Sequence, residues 1–127
     1  MKLLLDTHAL LWWWTDDPQL SAAARAAIAS PVNTVLVSAA SAWEIATKLR
    51  LGKLNLPEAG ARFNELVAAD GFVPLPISID HALRAGSYPA VHRDPFDRML
   101  AAQSQLEGAA LISRDPELTA FGCVLLW

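Results

Sequence analysis

Five short apolar runs, Lys2–Leu5, Thr34–Val37, Phe72–Leu75, Ala109–Ile112 and Val124–Leu126, alternate along this chain with segments of helical pattern. Alternation of this kind leaves few solutions, because each crossover must return the chain over one face of a sheet whose strands run the same way. The reading is therefore α/β: a three-layer α/β/α sandwich around a mostly parallel central sheet, with Val124–Leu126 as an edge strand. Residues 1–127 suit a single domain at this length.

The helix punctuation is explicit. Thr7 to Trp14 follows the first strand at once, and Ser21 caps an alanine-rich helix ending near Ala29. Ser38 and Ser41 compete to cap the next helix, since Ser41 and Glu44 have capping-box spacing, and Gly52 closes it. Pro57 opens a helix to about Ala69, Ser78 caps one to Gly86, and Tyr88 to Arg93 reads as a loop. Asp94-Pro95 starts a helix to Glu107 with Gly108 past its end, and Asp115-Pro116 repeats that cap-then-proline start.

Composition excludes several classes. At 54% hydrophobic and 18% charged residues the chain is neither disordered nor a coiled coil. A lone Cys123 rules out an internal disulfide and a cysteine-based zinc site. No apolar stretch approaches the length of a signal-peptide core or a membrane span, so the expected setting is cytoplasmic with no membrane partner. A net charge of −3 lacks the field of a protein held on nucleic acid by phosphate contacts, so any such contact must be local or metal-assisted. Trp12, Trp13 and Trp14 fan over about 200° of a helix, wider than one core-facing stripe. Either at least one indole faces outward, as part of a homodimer or partner surface, or a short irregular segment buries all three.

In parallel sheets ligands bind beyond the carboxyl ends of the strands. Asp6 directly follows the first strand, Asp115 lies just past the fourth, Glu44 stands on the helix after the second, and Asp94 and Asp97 occupy the first turn of the helix leading into the fourth. If the loop entering that helix reaches the same edge, four segments bring carboxylates together. Crowded carboxylates raise one another's pKa unless a cation neutralises them, and oxygen-only ligands select hard ions such as Mg²⁺ or Mn²⁺. An open acidic site of this type suits phosphodiester hydrolysis, and bound cations let an acidic protein engage RNA.

Four stretches resemble the motifs of a PIN domain, and more narrowly of the VapC-type ribonuclease toxins of bacterial toxin–antitoxin pairs: Leu4-Leu5-Asp6-Thr7-His8, Ser41-Ala42-Trp43-Glu44-Ile45, Asp94 to Gln103, and Leu111-Ile112-Ser113-Arg114-Asp115. The resemblance covers nearly the whole chain in order and spacing. It implies a PIN-like fold and a Mg²⁺-dependent endoribonuclease with Asp6, Glu44, Asp97 and Asp115 as the metal-binding catalytic acids. It also implies a cognate protein antitoxin that covers or invades the active site. Asp97 is chosen over Asp94 as the third acid because it stands just before the apolar stretch Met99 to Ala102; Asp94 is then a helix cap that assists from behind.

Each acid also has a plainer role available. Asp6 could end a strand, Glu44 could complete a capping box, Asp97 could sit at a helix N-terminus for its dipole, and Asp115 could be a cap. Thr7 and Ser113 are candidates to hydrogen-bond a carboxylate or bound water, or to cap. His92, Arg93, Arg98 and Arg114 are candidates for contact with RNA phosphate. His8, His81 and His92 have no zinc spacing and are expected on the surface or in loops, and Lys48, Arg50 and Lys53 read as a solvated basic face. Two other functions compete: a PIN-like module that binds metal, RNA or protein without cutting, and an Asp-dependent phosphatase. The phosphatase is disfavoured because His8 stands where a second Asp would be needed.

Overall fold

The computed structural model describes residues 1–89 and 92–127. In chain order it runs β1 (Lys2–Leu5), α1 (Thr7–Trp14), α2 (Ala22–Ala29), β2 (Thr34–Ser38), α3 (Ala39–Arg50), α4 (Pro57–Ala61), α5 (Phe63–Ala69), β3 (Val73–Leu75), α6 (Ile79–Ser87), α7 (Pro95–Glu107), β4 (Ala110–Ile112), a 3-10 helix (Pro116–Phe121) and β5 (Leu125–Leu126). The strands form one sheet in the order β3-β2-β1-β4-β5, and every neighbouring pair is parallel. Among the described residues no helix is long and apolar enough to cross a membrane.

Strand periodicity divides the core. In the three central strands, Leu3, Leu5, Val35, Val37, Ala110 and Ile112 point to one face, where they meet Leu10 of α1, Ile28 of α2, Ile45 of α3, Ala59 of α4 and Val67 of α5. Leu4, Leu36 and Leu111 point to the other and meet Leu100 and Ala101 of α7 with Leu118 and Phe121 of the 3-10 helix. Register follows from this: Leu4 lies opposite Leu36 and Leu111, and slipping any strand by one residue would turn leucines toward the wrong layer. The sandwich is thus three layers, as the alternation predicts.

Two details differ from expectation, and one lies partly outside the described residues. The helix expected from Pro57 to Ala69 breaks at Arg62 (φ −118°, ψ 22°) into α4 and α5. Gly60 lies so close to Leu49 of α3 that a Cβ there would stand 2.7 Å from it, so close packing puts the poorest non-proline helix former next to the break. The loop expected at Tyr88 to Arg93 is present at its described positions, while residues 90 and 91 lie outside the described set. Finally, the Trp run is neither irregular nor bare. It lies on regular helix, and each indole is half-buried: Trp12 against His8 and Trp127, Trp13 against Phe72, and Trp14 against Phe63, with Nε1 donating to Asp70 at 3.0 Å. The fan is absorbed because helices α4 and α5 and the C-terminus supply apolar surface on several sides.

Candidate active site

The carboxyl ends of β1, β2 and β4 carry Asp6, Ser38 and Ser113, and the chain uses each to start or steer the next segment. Asp6 is the N-cap of α1, its Oδ1 accepting from the Ala9 N–H at 2.7 Å while its own N–H donates to the Ile112 carbonyl of β4. Ser38 wins the competition to cap α3, accepting from the Ala40 N–H at 2.9 Å. Ser41 therefore sits inside the helix and bonds Thr7 (3.1 Å), and Glu44 has no capping duty. Asp94 caps α7 by accepting from the N–H groups of Phe96 and Asp97 (2.8 and 3.2 Å). Asp115 caps the 3-10 helix through the Glu117 N–H (3.0 Å), and the Asp115 N–H donates to the Ser113 hydroxyl.

These segments meet in one cavity of about 100 Å³ lined by Asp6, Thr7, His8, Glu44, Lys48, Asp94, Asp97 and Asp115. The condition set by the sequence, that the entry to α7 reach the strand ends, is met. All four expected acids and Asp94 line the same space, and Thr7 lines it with them. Ser113, 1% exposed, hydrogen-bonds Asp6 from beneath. The capping roles and the clustering coexist, because a cap uses one carboxylate oxygen and leaves the other available.

The electrostatics are those of a site short of positive charge. Burial pushes the Asp6 carboxyl above its ordinary range and nearby Glu44 adds to the push, against the Ser113 hydroxyl, the Ala9 N–H and His8. Burial likewise pushes Asp97 up to about 6, with Asp94 and Glu44 contributing, although His92 pulls it down. His92 faces a carboxylate on each side: Nε2 lies 2.9 Å from Asp97 and Nδ1 3.2 Å from Glu117. A neutral imidazole can donate to only one of them, and the Asp97 hydrogen bond raises the His92 pKa, favouring the imidazolium that satisfies both. His92, Asp115 and Glu117 also offer ligand atoms within 4.8 Å of one another at the rim.

Several of the basic side chains singled out in the sequence have partners within the chain. Arg98, a candidate for contact with RNA phosphate, ties the loop before α7 to α6: its guanidinium donates to the carbonyls of Ala85 (2.9 Å), Tyr88 (2.7 Å) and His92 (3.0 Å) and packs over Phe121. The reason is reach, since one helical turn above Asp94 it faces the unpaired carbonyls ending α6. Arg114 lies over the Trp12 ring, 4.5 Å from its centroid, and bonds Gln19. Arg93 is exposed. His81 is not on the surface: it is 4% exposed, closes a capping box with Ser78, and stands 3.1 Å from Glu107 and 3.4 Å from Gln103. Lys48 is not simply solvated, because its Nζ lies 2.6 Å from Glu44 Oε2 inside the cavity wall. The i, i+4 spacing of Glu44 and Lys48 was the available signal; Glu117 offered none beyond following Asp115 by two residues.

A fold of this topology, with acids on the ends of its central strands, defines a class, and comparison with known proteins names it. The PIN domain family model matches residues 3–122, and the chain belongs to that family. Over 70 residues it is 46% identical to Ribonuclease VapC16 of Mycobacterium tuberculosis, a match taking in 51% of this chain and 48% of that protein, so the chain spans about half the length of the curated relative it matches. Among solved structures it resembles VapBC2 from Rickettsia felis bound to a promoter DNA fragment (TM-score 0.73, 14% identity, 100% of this chain and 98% of that one). It also resembles FitAcB from Neisseria gonorrhoeae (TM-score 0.57, 16% identity, 100% and 97%) and a toxin–antitoxin complex from Klebsiella pneumoniae (TM-score 0.55, 19% identity, 93% and 90%). At these identities the likeness is one of fold.

Proposed function

We propose that this chain is a metal-dependent endoribonuclease, the toxin of a toxin–antitoxin pair, acting as a single domain in the cytoplasm. The observation that carries the reading is the convergence of Asp6, Glu44, Asp97 and Asp115 from four segments on one 100 Å³ cavity. Two of these carboxyls have raised pKa values, so the pocket favours a proton or another cation over empty ionised carboxylates.

The donor set fits a hard divalent ion. It is all carboxylate oxygen, it comes from a strand end, helix starts and the body of α3, and Mg²⁺, with Mn²⁺ as a substitute, is the ion such a set selects. When bound, the metal supplies a Lewis acid that lowers the pKa of water and offsets charge on the phosphate. Asp6, one oxygen of which is fixed by the Ala9 N–H, would hold the ion through its other oxygen. Glu44, Asp97 and Asp115 would hold the ion with it, while Asp94 accepts from the Asp97 N–H, the Ser113 hydroxyl from the Asp115 N–H, and Thr7 bonds Ser41. His92 bridges Asp97 and Glu117, which restrains the Asp97 carboxylate through one of its oxygens.

A cognate antitoxin fits the groove beside the pocket. His8 and Lys48 belong to both the acidic cavity and a groove of about 350 Å³ whose other walls include Leu11, Trp12, Leu54 and Leu56. A partner segment in that apolar groove would end at the acids and cover them. A homodimer is part of the same proposal.

The test is cleavage of total cellular RNA by purified protein with Mg²⁺, with Mn²⁺ or with EDTA, beside Asp6→Asn. The expected result is discrete fragments that need metal and vanish in the variant. A folded, antitoxin-free protein that cuts under none of these conditions would contradict it and favour a binding module.

A further inference from the structure

The acidic cavity contains a basic side chain that the four-acid scheme does not use. Lys48 lines it together with five carboxylates, and its ammonium lies 2.6 Å from Glu44 Oε2. The Glu44 side chain is only 7% exposed, whereas that of Lys48 is 31% exposed. The acid is thus fixed in the wall while the base approaches it from the open side. Lys48 also lines the neighbouring apolar groove, so its stem lies on the ridge between the two depressions.

An ordinary i, i+4 pair on a helix surface is worth only a few tenths of a kcal/mol, because both partners are solvated. Here one partner is buried among like charges, so the ammonium offsets repulsion within the pocket. That creates a competition. Lys48 already neutralises the carboxylate that a divalent cation seated on Asp6 and Glu44 would use, and two cations within a few ångströms repel. The lysine, a compact charge on a flexible four-carbon stem anchored to α3, can give up Glu44 without leaving the site. Its remaining destination on the open side is the entrance, where a substrate phosphate would arrive.

Resting on the metal-nuclease reading above, we propose that Lys48 is the built-in counter-cation of the pocket. It pairs with Glu44 while metal is absent, is displaced when a divalent ion takes that carboxylate, and then pairs with a non-bridging oxygen of the RNA phosphate being cut. No proton moves in this exchange; one ion pair is traded for another. Lys48 thereby opposes metal loading and favours the loaded enzyme–substrate complex, two effects of opposite sign from one side chain.

The test measures Mn²⁺ affinity by calorimetry on antitoxin-free protein and initial rates of total-RNA cleavage at saturating Mn²⁺, for wild type, Lys48→Met and Lys48→Arg. Coupling between sites is typically about 5- to 150-fold, and Lys48→Met is expected to bind Mn²⁺ roughly tenfold more tightly while cleaving roughly tenfold or more slowly. Lys48→Arg, which keeps the charge, is expected to bind Mn²⁺ within about threefold of wild type. A structural salt bridge alone would not tighten metal binding while slowing cleavage. Wild type that binds Mn²⁺ and cleaves, with Lys48→Met matching it in both measurements or binding more weakly, overturns the role of Lys48 and leaves the nuclease reading standing. Wild type that binds no Mn²⁺ overturns both.

Discussion

Replacing Asp97 with Asn should make the metal-free protein more stable at neutral pH, which is the reverse of what loss of a structural acid would do. Asp97 has its carboxyl pushed from 3.8 to about 6, chiefly by burial and despite its contact with His92. At about 1.4 kcal/mol per pH unit that displacement corresponds to about 3 kcal/mol of cost to the folded state once the group is ionised. The sign follows from proton binding: between pH 3.8 and about 6 the folded protein holds more protons than the unfolded chain, so stability falls as pH rises through this window. The cost is absent below the unfolded value and complete above the folded one. Its side chain is 26% exposed, and solvent screening trims the figure, so a gain of about 1 to 3 kcal/mol is expected at pH 7.5 for Asp97→Asn, or about 4 to 15 °C in Tm for a chain of this size. The assay is thermal melting of wild type and variant in EDTA at pH 7.5 and pH 4. The variant should melt higher at pH 7.5, and the gap should close at pH 4. A variant that melts lower at pH 7.5, or a gap that ignores pH, would refute the reasoning and mark Asp97 as a structural acid.

Further outcomes follow from the same geometry. Adding Mn²⁺ at about 100 times its Kd should stabilise wild type by about 2.7 kcal/mol in a melting titration, reversibly with EDTA, and Glu44→Gln should lose most of that gain. Arg98→Ala removes charge-assisted bonds to three backbone carbonyls, one in α6 and two after it, and should lower stability in urea by about 2 to 4 kcal/mol, with Mn²⁺ affinity within about threefold of wild type; an unaffected midpoint would show that the tie is not needed. Ser38→Ala removes the α3 cap and leaves the 0%-exposed Gln103 amide oxygen without its hydroxyl donor, so chemical denaturation should show a loss of about 1 to 3 kcal/mol.

The fold was legible because its signals are local. Short runs of leucine and valine bounded by turn and cap signals read as buried strands between helices, and Asp6, Ser21, Ser38, Ser78, Asp94 and Asp115 all cap the segments they precede. Clustering of the acids was legible for the same reason: Asp6, Asp97 and Asp115 stand at strand ends and helix starts, positions that topology places, and Glu44 follows on the helix leaving β2. What the pattern could not give is direction. Nothing local tells that Arg98 turns back to α6, since its partners come from another segment, and for Lys48 only the i, i+4 spacing to Glu44 hints that it faces the acids. His81 was missed because burial of an imidazole depends on distant Gln103 and Glu107. The break at Arg62 and the half-buried Trp run have the same origin, tertiary contact overriding helical propensity and periodicity.

The central claim is that the four-acid cavity hydrolyses RNA with a metal-activated water, and the chemistry of the cut ends tests it most directly. Fragments made by wild type with Mg²⁺ should carry a simple monophosphate on one side of the cut and a free hydroxyl on the other, with no 2′,3′-cyclic phosphate, and none should form with EDTA or with Asp6→Asn. Cyclic-phosphate ends would mean that the RNA's own 2′-hydroxyl attacked, and cuts that persist without metal would place the chemistry outside these carboxylates; either result contradicts the account.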